Sequence, residues 1–282
     1  MKHKRAIAVL FLLVVGSGIL FWKIQDSTTP IIISSAQAVV PENGDGPFPV
    51  YMTLENTGEA DTLLAIKSQL GGEAMIMGST TKGRSVVPAG SKPSFSADGA
   101  HFMLSGVTKD LAEGDFVSLT LIFENAGDVA AKALVKRPGM KKMEMSANDK
   151  AGNDKDVPET PKMSHDMHGA GNSFEVAPGG SVPEISMEIE ASLQNNEWRV
   201  ITQTKNFEFV QSAKPLAHTP GQGHAHLYLN GLKLQRIYGA DAIIGSLPKG
   251  DHTVRVTLNT NDHRAYSIQG NPISAEKIIT VN

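Results

Sequence analysis

Residues 139–172 divide this chain, and no single compact core can run through them. Around its Met and His residues the stretch is mainly Lys, Asp, Asn, Gly and Pro, with almost no β-branched or aromatic side chains. Such a segment cannot bury enough apolar surface to offset the entropy of ordering it. It reads as a flexible linker between two folded regions, and 282 residues suffice for two domains of ordinary size. The expected organisation is a membrane segment and tether over 1–30, a first domain over 31–138, the linker over 139–172 and a second domain over 173–282.

Both folded regions read as β. Val50, Met52 and Leu54 alternate with Tyr51, Thr53 and Glu55, a period of two. Phe116–Phe123 is a further strand, and Asn125-Ala126-Gly127-Asp128 predicts a hairpin turn into Val129–Val135. After the linker, Met187, Ile189 and Ala191 alternate with charged residues. Trp198–Thr202, His226–Leu229 and His252–Leu258 continue the pattern, and Asn230-Gly231 is a strong short-range hairpin signal. No long amphipathic helical period occurs. The expected class is all-β: two β-sandwiches, the second immunoglobulin-like, behind an N-terminal membrane helix.

That helix rests on Ala6–Trp22, 17 apolar residues preceded by Lys2, Lys4 and Arg5. The length is at the lower limit for a bilayer span, and the basic flank orients the N-terminus to the cytoplasm. An uncleaved anchor is favoured over a cleaved signal, because the small-residue site Ala36-Gln37-Ala38 lies far beyond the apolar run. Either way the rest of the chain is expected in the periplasm, on the outer face of a bacterial inner membrane or released there. A net charge of −3 leaves no basic footprint for nucleic acid. With no cysteine, disulfides, thiolate metal sites and thiol catalysis are excluded, so soft-metal chemistry must use methionine.

Methionine and histidine are placed for that chemistry. In a strand, His101 and Met103 project to one face, and so do Met75 and Met77. An imidazole beside thioethers suits Cu(I) better than Zn, Ca or Mg. The sequence around these residues resembles the periplasmic copper chaperone family PCu(A)C. The resemblance runs through Val50–Gly58, Asp61–Leu64, Val87-Pro88-Ala89-Gly90, Gly99–Leu104 and Leu119–Glu124. It implies a cupredoxin-like sandwich over about 31–138 that binds Cu(I) through His and Met. His101 and Met103 match the family's H-x-M. Its upstream His is absent, since no histidine lies between His3 and His101. Met75 and Met77 are the nearby donors, and which of them stands for the family's Met is open.

Two further donor sets are expected. The linker contains five of the eleven Met, and Met163, His165, Met167 and His168 form a compact cluster. The second region holds five of the nine His. Gly223-His224-Ala225-His226 puts two imidazoles on one strand face, with His263 from a loop or His252 completing a nitrogen set for Cu(II) or Zn. This region resembles a small uncharacterised periplasmic β-domain found beside copper proteins, and no ligand is carried over from that likeness.

Nucleophile elbows, H-E-x-x-H, phosphate loops and paired-carboxylate motifs are missing from the sequence. The expected function is therefore not catalytic. It is a copper chaperone that holds Cu(I), and with it Cu(II), for a copper-accepting metalloprotein such as an oxidase assembly partner. The competing reading is a membrane-tethered interaction protein with an eroded metal site.

Overall fold

The computed structural model describes residues 29–42, 44, 46–138, 173–177, 179–192, 196–211 and 217–282. The anchor and the linker cluster Met163, His165, Met167 and His168 lie outside the described residues. Within the described residues the chain is all-β, with twenty strands and no helix. None of those residues forms a helix long and apolar enough to cross a membrane.

The first region contains β1 (Ile31–Val39), β2 (Phe48–Asn56), β3 (Asp61–Ser68), β4 (Glu73–Met77) and β5 (Ser85–Val87). It continues through β6 (Ser94–Phe95), β7 (His101–Ser105), β8 (Phe116–Phe123) and β9 (Asp128–Lys136). Neighbouring strands run β5-β3-β8-β9-β1-β2-β7-β4, antiparallel except where β1 meets β9. The sheet curls so that alternate residues meet inside. Phe48, Val50, Met52 and Leu54 of β2 are buried there with Val117, Leu119, Leu121 and Phe123 of β8. This period-two burial is what the sequence alternation dictates.

The second region contains β10 (Ser173–Glu175), β11 (Glu184–Ser192), β12 (Glu197–Lys205), β13 (Glu208–Phe209) and β14 (Gln222–Leu229). After them come β15 (Leu232–Ile237), β16 (Asp241–Ile244), β17 (Gly250–Thr260), β18 (Ala265–Ile268), β19 (Asn271–Pro272) and β20 (Ser274–Val281). One sheet is built on β15-β14-β17-β20, and a second on β11-β12-β16. Met187, Val200 and Ile244 of the smaller sheet are buried in the same core as Val254 and Val256 of the larger. Asn230 and Gly231 turn β14 into β15 with φ of 50° and 86°, the left-handed pair that a two-residue hairpin requires.

This hairpin also joins the two regions. Ser94 of β6 pairs with Lys233 of β15. The Ala100 N–H donates to the Gly231 carbonyl at 2.8 Å, and the Thr80 N–H to the Asn230 carbonyl at 3.1 Å. Main chain approaches main chain so closely that a Cβ on Gly231 would collide with the Gly78 carbonyl oxygen. Gly231→Ala should therefore destabilise the protein by roughly 1–3 kcal/mol, from the left-handed backbone and the collision together. Denaturant unfolding measures it, and an unchanged midpoint would show that the joint is loose.

Candidate metal centres

The first centre is set by strand register. β4 and β7 pair antiparallel with Met75 opposite Met103 and Met77 opposite His101. Opposed residues share a face, as do residues two apart along a strand. All four donors predicted for the first domain therefore form one two-by-two patch. The intervening Phe102 and Leu104 point the other way and are fully buried, with Ala74 and Ile76 packed against the same core. The core thus fixes the patch by holding the alternate residues. His101 is 6% exposed and Met75 is 49% exposed, so the patch runs from a buried imidazole to an open thioether.

The ring of His101 is held from within its own turn. Its Nδ1 lies 3.0 Å from the Gly99 carbonyl oxygen, an acceptor that favours the Nδ1–H tautomer. The lone pair then sits on Nε2. On the side away from β4, the Tyr51 ring stands 6.0 Å from the imidazole, and burial raises the Tyr51 phenol above its ordinary pKa.

The second centre gathers three of the four histidines proposed for the second region. His224 and His226 share a face of β14, and His263 reaches them from the turn after β17, at a φ of 70°. His224 Nε2 lies 3.0 Å from His226 Nε2 and 3.1 Å from His263 Nδ1. The three ligating atoms fall within 4.8 Å of one another, with two rings buried and the third exposed.

His252 does not join them, which corrects the sequence reading. It sits at the far end of β17, five residues before the Thr257 that pairs with His226, so about 16 Å away along the strand. Its Nε2 donates to the Pro248 carbonyl at 2.8 Å, and its Nδ1 faces the Asn230 amide at 3.2 Å. Asn230 in turn accepts from the Thr253 N–H, so His252 braces the β14–β15 hairpin. His218 also stays apart, its ring centroid 4.1 Å from that of Phe174 and tilted 45° to it.

Residues that the sequence did not single out surround the histidines. The Asp98 carboxylate, from the turn between β6 and β7, lies 2.9 Å from His226 Nδ1. It also accepts from the Lys233 ammonium at 2.8 Å, the Ser96 hydroxyl at 2.6 Å and the Tyr228 hydroxyl at 3.2 Å. Burial alone would raise the Asp98 pKa, but its bond with His226 and the Lys233 charge outweigh that and hold it well below the usual carboxylate range. Burial pushes the Tyr228 phenol up. Burial, with the charges of His226 and His263, brings His224 down to about 3, while His226 and His263 are also lowered, chiefly by burial. Tyr228 was legible as the next member of the His224, His226 face. Asp98 was not, because it comes from the other domain.

A cleft of about 780 Å3 runs between the regions, lined by Tyr51, Ser94, Lys233 and Arg236 among others. None of the seven donors lines it.

Residues 31–135 match the family model described as putative lipoprotein LpqE-like. Solved structures similar to the same part of the chain include the apo PCuAC domain from PmoF1, 26% identical, covering 39% of this chain and 95% of that one, with a TM-score of 0.37. The copper-bound PCuAC domain from PmoF2 is 25% identical, covers 39% of this chain and 94% of that one, and scores 0.36. Apo-DR1885 from Deinococcus radiodurans is 24% identical over 40% of this chain and 82% of its own, and scores 0.33. No curated protein matches the chain. The family-model match falls on the same residues as the PCu(A)C resemblance read from the sequence.

The Asp98–Lys233 pair gives a test of the joint. A carboxylate held below its unfolded pKa of about 3.9 contributes stability that is complete above that value and is lost as pH falls below it. Lys233→Met removes the ammonium, whose side chain is only 16% exposed, at similar volume. It should lower the unfolding midpoint at pH 7, and its gap from wild type should narrow on acidification below about pH 4. A gap independent of pH would mean that the ammonium matters through packing alone.

Proposed function

We propose that this chain is an extracytoplasmic copper chaperone. It holds Cu(I) on the β4–β7 patch of Met75, Met77, His101 and Met103 and passes it to a metalloprotein partner. The observation that carries the reading is the Met75–Met103 and Met77–His101 register, which puts three soft sulfurs and one imidazole on a single face. The LpqE-like match and the likeness to PCuAC domains, one of them copper-bound, support a copper-handling role. No bond of the cargo is made or broken except to its ligands, so the protein is not an enzyme on this reading. Transfer proceeds by ligand exchange, and the 49% exposure of Met75 suits an incoming donor.

One equivalent of Cu(I), bound to the full chain under reducing conditions, should show more sulfur than nitrogen neighbours by X-ray absorption. Met75→Leu with Met77→Leu should remove most of the sulfur signal and lower affinity at least tenfold. A nitrogen-dominated shell would overturn the assignment. The alternative, an interaction protein with an eroded site, is supported by the missing upstream His, and a chain that takes up no Cu(I) would establish it.

On the same reading Ala6–Trp22 tethers the chain to the periplasmic side of the inner membrane, and the second domain is an immunoglobulin-like sandwich that positions the first. A tether held by apolar burial should keep the protein in the membrane fraction through a high-salt wash. A mature protein beginning at or beyond Val39 would show instead a cleaved signal and release to the periplasm.

A further inference from the structure

We propose that His224, His226 and His263 form a second metal site, for a divalent cation with Cu(II) preferred to Zn(II), and that Asp98 of the first domain positions His226 for it. The site does not depend on the Cu(I) patch. It differs from it in every donor.

Counting protons supports a cation here. A neutral imidazole nitrogen carries either one proton or one lone pair. His226 Nδ1 faces the Asp98 carboxylate at 2.9 Å, so that nitrogen bears the proton and Nε2 bears the lone pair. His224 Nε2 is faced by two ring nitrogens, at 3.0 and 3.1 Å. With its one proton or one lone pair it satisfies one of them at a time. Protonating a ring does not repair this, because it adds a donor to a cluster that is short of acceptors. A cation shared by three lone pairs satisfies them all.

The spacing fits as well. At metal–nitrogen bonds of about 2.0–2.1 Å, ligating nitrogens lie about 2.9 Å apart at a right angle and about 3.3 Å apart at a tetrahedral one. Two of the separations fall in that interval. His263 is the exposed member of the set, and all three ligating atoms lie within 4.8 Å of one another. Three imidazoles leave a coordination position open for water or an incoming ligand.

Asp98 supplies the remaining feature of a built site. A ligating histidine commonly donates its second N–H to a carboxylate, which fixes the tautomer and raises the ring's basicity. Here that carboxylate is itself anchored by Lys233, Ser96 and Tyr228. Of the cations facing the cluster, Lys233 is neutralised by Asp98, and Arg236 remains as a weak long-range repulsion. Nitrogen-only donors favour Cu(II), then Zn(II), by the usual order of divalent affinities. The only Met beyond residue 172, Met187, is buried in the core.

The test uses the full chain with Zn(II) or Cu(II) alone. Calorimetry should show one Zn(II) per chain, since thioethers are poor Zn(II) ligands, and one Cu(II) should give an electron paramagnetic resonance spectrum with imidazole nitrogen couplings. Asp98→Asn should weaken Zn(II) binding 10–100-fold at unchanged stoichiometry and shift the Cu(II) spectrum, while Asp98→Glu restores both in large part. His263→Asn, at an exposed turn where Asn tolerates the left-handed backbone, should cost at least tenfold. Full-strength binding after His224→Ala with His226→Ala, or after His263→Asn should the double variant not fold, would overturn the site. Unchanged affinity and spectrum in Asp98→Asn would overturn the positioning role.

Discussion

A carboxylate largely withdrawn from water must be repaid by partners, and in this protein the partners lie across the joint between the two folded regions. Asp98 belongs to the first domain. Lys233, Tyr228 and His226, which bind it, belong to the second. Removing one partner from a buried ion pair leaves a charge without compensation, which costs far more than the intact pair contributes. The docked arrangement is thus the one in which Asp98 is satisfied. The main-chain bonds from Ala100 to Gly231 and from Thr80 to Asn230 add direction to that charge, because they require the hairpin to sit in one place.

The same turn serves both candidate metal centres. Between Ser96 and His101 the chain contributes the Asp98 carboxylate, itself held by the Ser96 hydroxyl, to His226 of the second region, and the Gly99 carbonyl to the ring of His101. Five residues thus hold one imidazole of each centre. The centres themselves remain chemically separate. A thioether-rich patch suits Cu(I), a nitrogen cluster suits Cu(II) or Zn(II), and the absence of cysteine keeps either from becoming a tight thiolate trap. Weak, partly exposed ligation is consistent with cargo that has to leave again.

What the sequence shows well is whatever depends on short-range period. The alternation of β2, the Asn230-Gly231 hairpin, the pairing of His224 with His226 on one face and the loop position of His263 all follow from spacing alone. The opposition of Met75 to Met103 needed the β4–β7 register, which no local pattern encodes, although both H-x-M and M-x-M showed their own faces. His252 misled because its residue type and its place on a β strand were right. Its distance along β17 set it apart, and two ring contacts committed it to bracing a hairpin. Asp98 was invisible for a deeper reason. A carboxylate in a Ser-Ala-Asp-Gly turn looks like ordinary turn chemistry, in which Ser96 and Asp98 bond each other, until another domain brings Lys233 and His226 to it.

A metal at the three histidines would be connected to the joint between the two regions through ordinary linkage. A cation that binds the three histidines about 10–100-fold more tightly when Asp98 positions His226 would bind the docked form in preference to the undocked one. Saturating metal would then stabilise docking by RT ln of that ratio, about 1.4–2.7 kcal/mol. Reciprocally, whatever loosens the hairpin against the first domain weakens the metal. The turn that carries Asp98 ends in His101, whose ring it also holds through the Gly99 carbonyl. The cores make that economy possible. Phe102 and Leu104 on one side and Leu227 and Leu229 on the other are fully buried, and they fix the strands, leaving the turn between β6 and β7 as the element that both sites share.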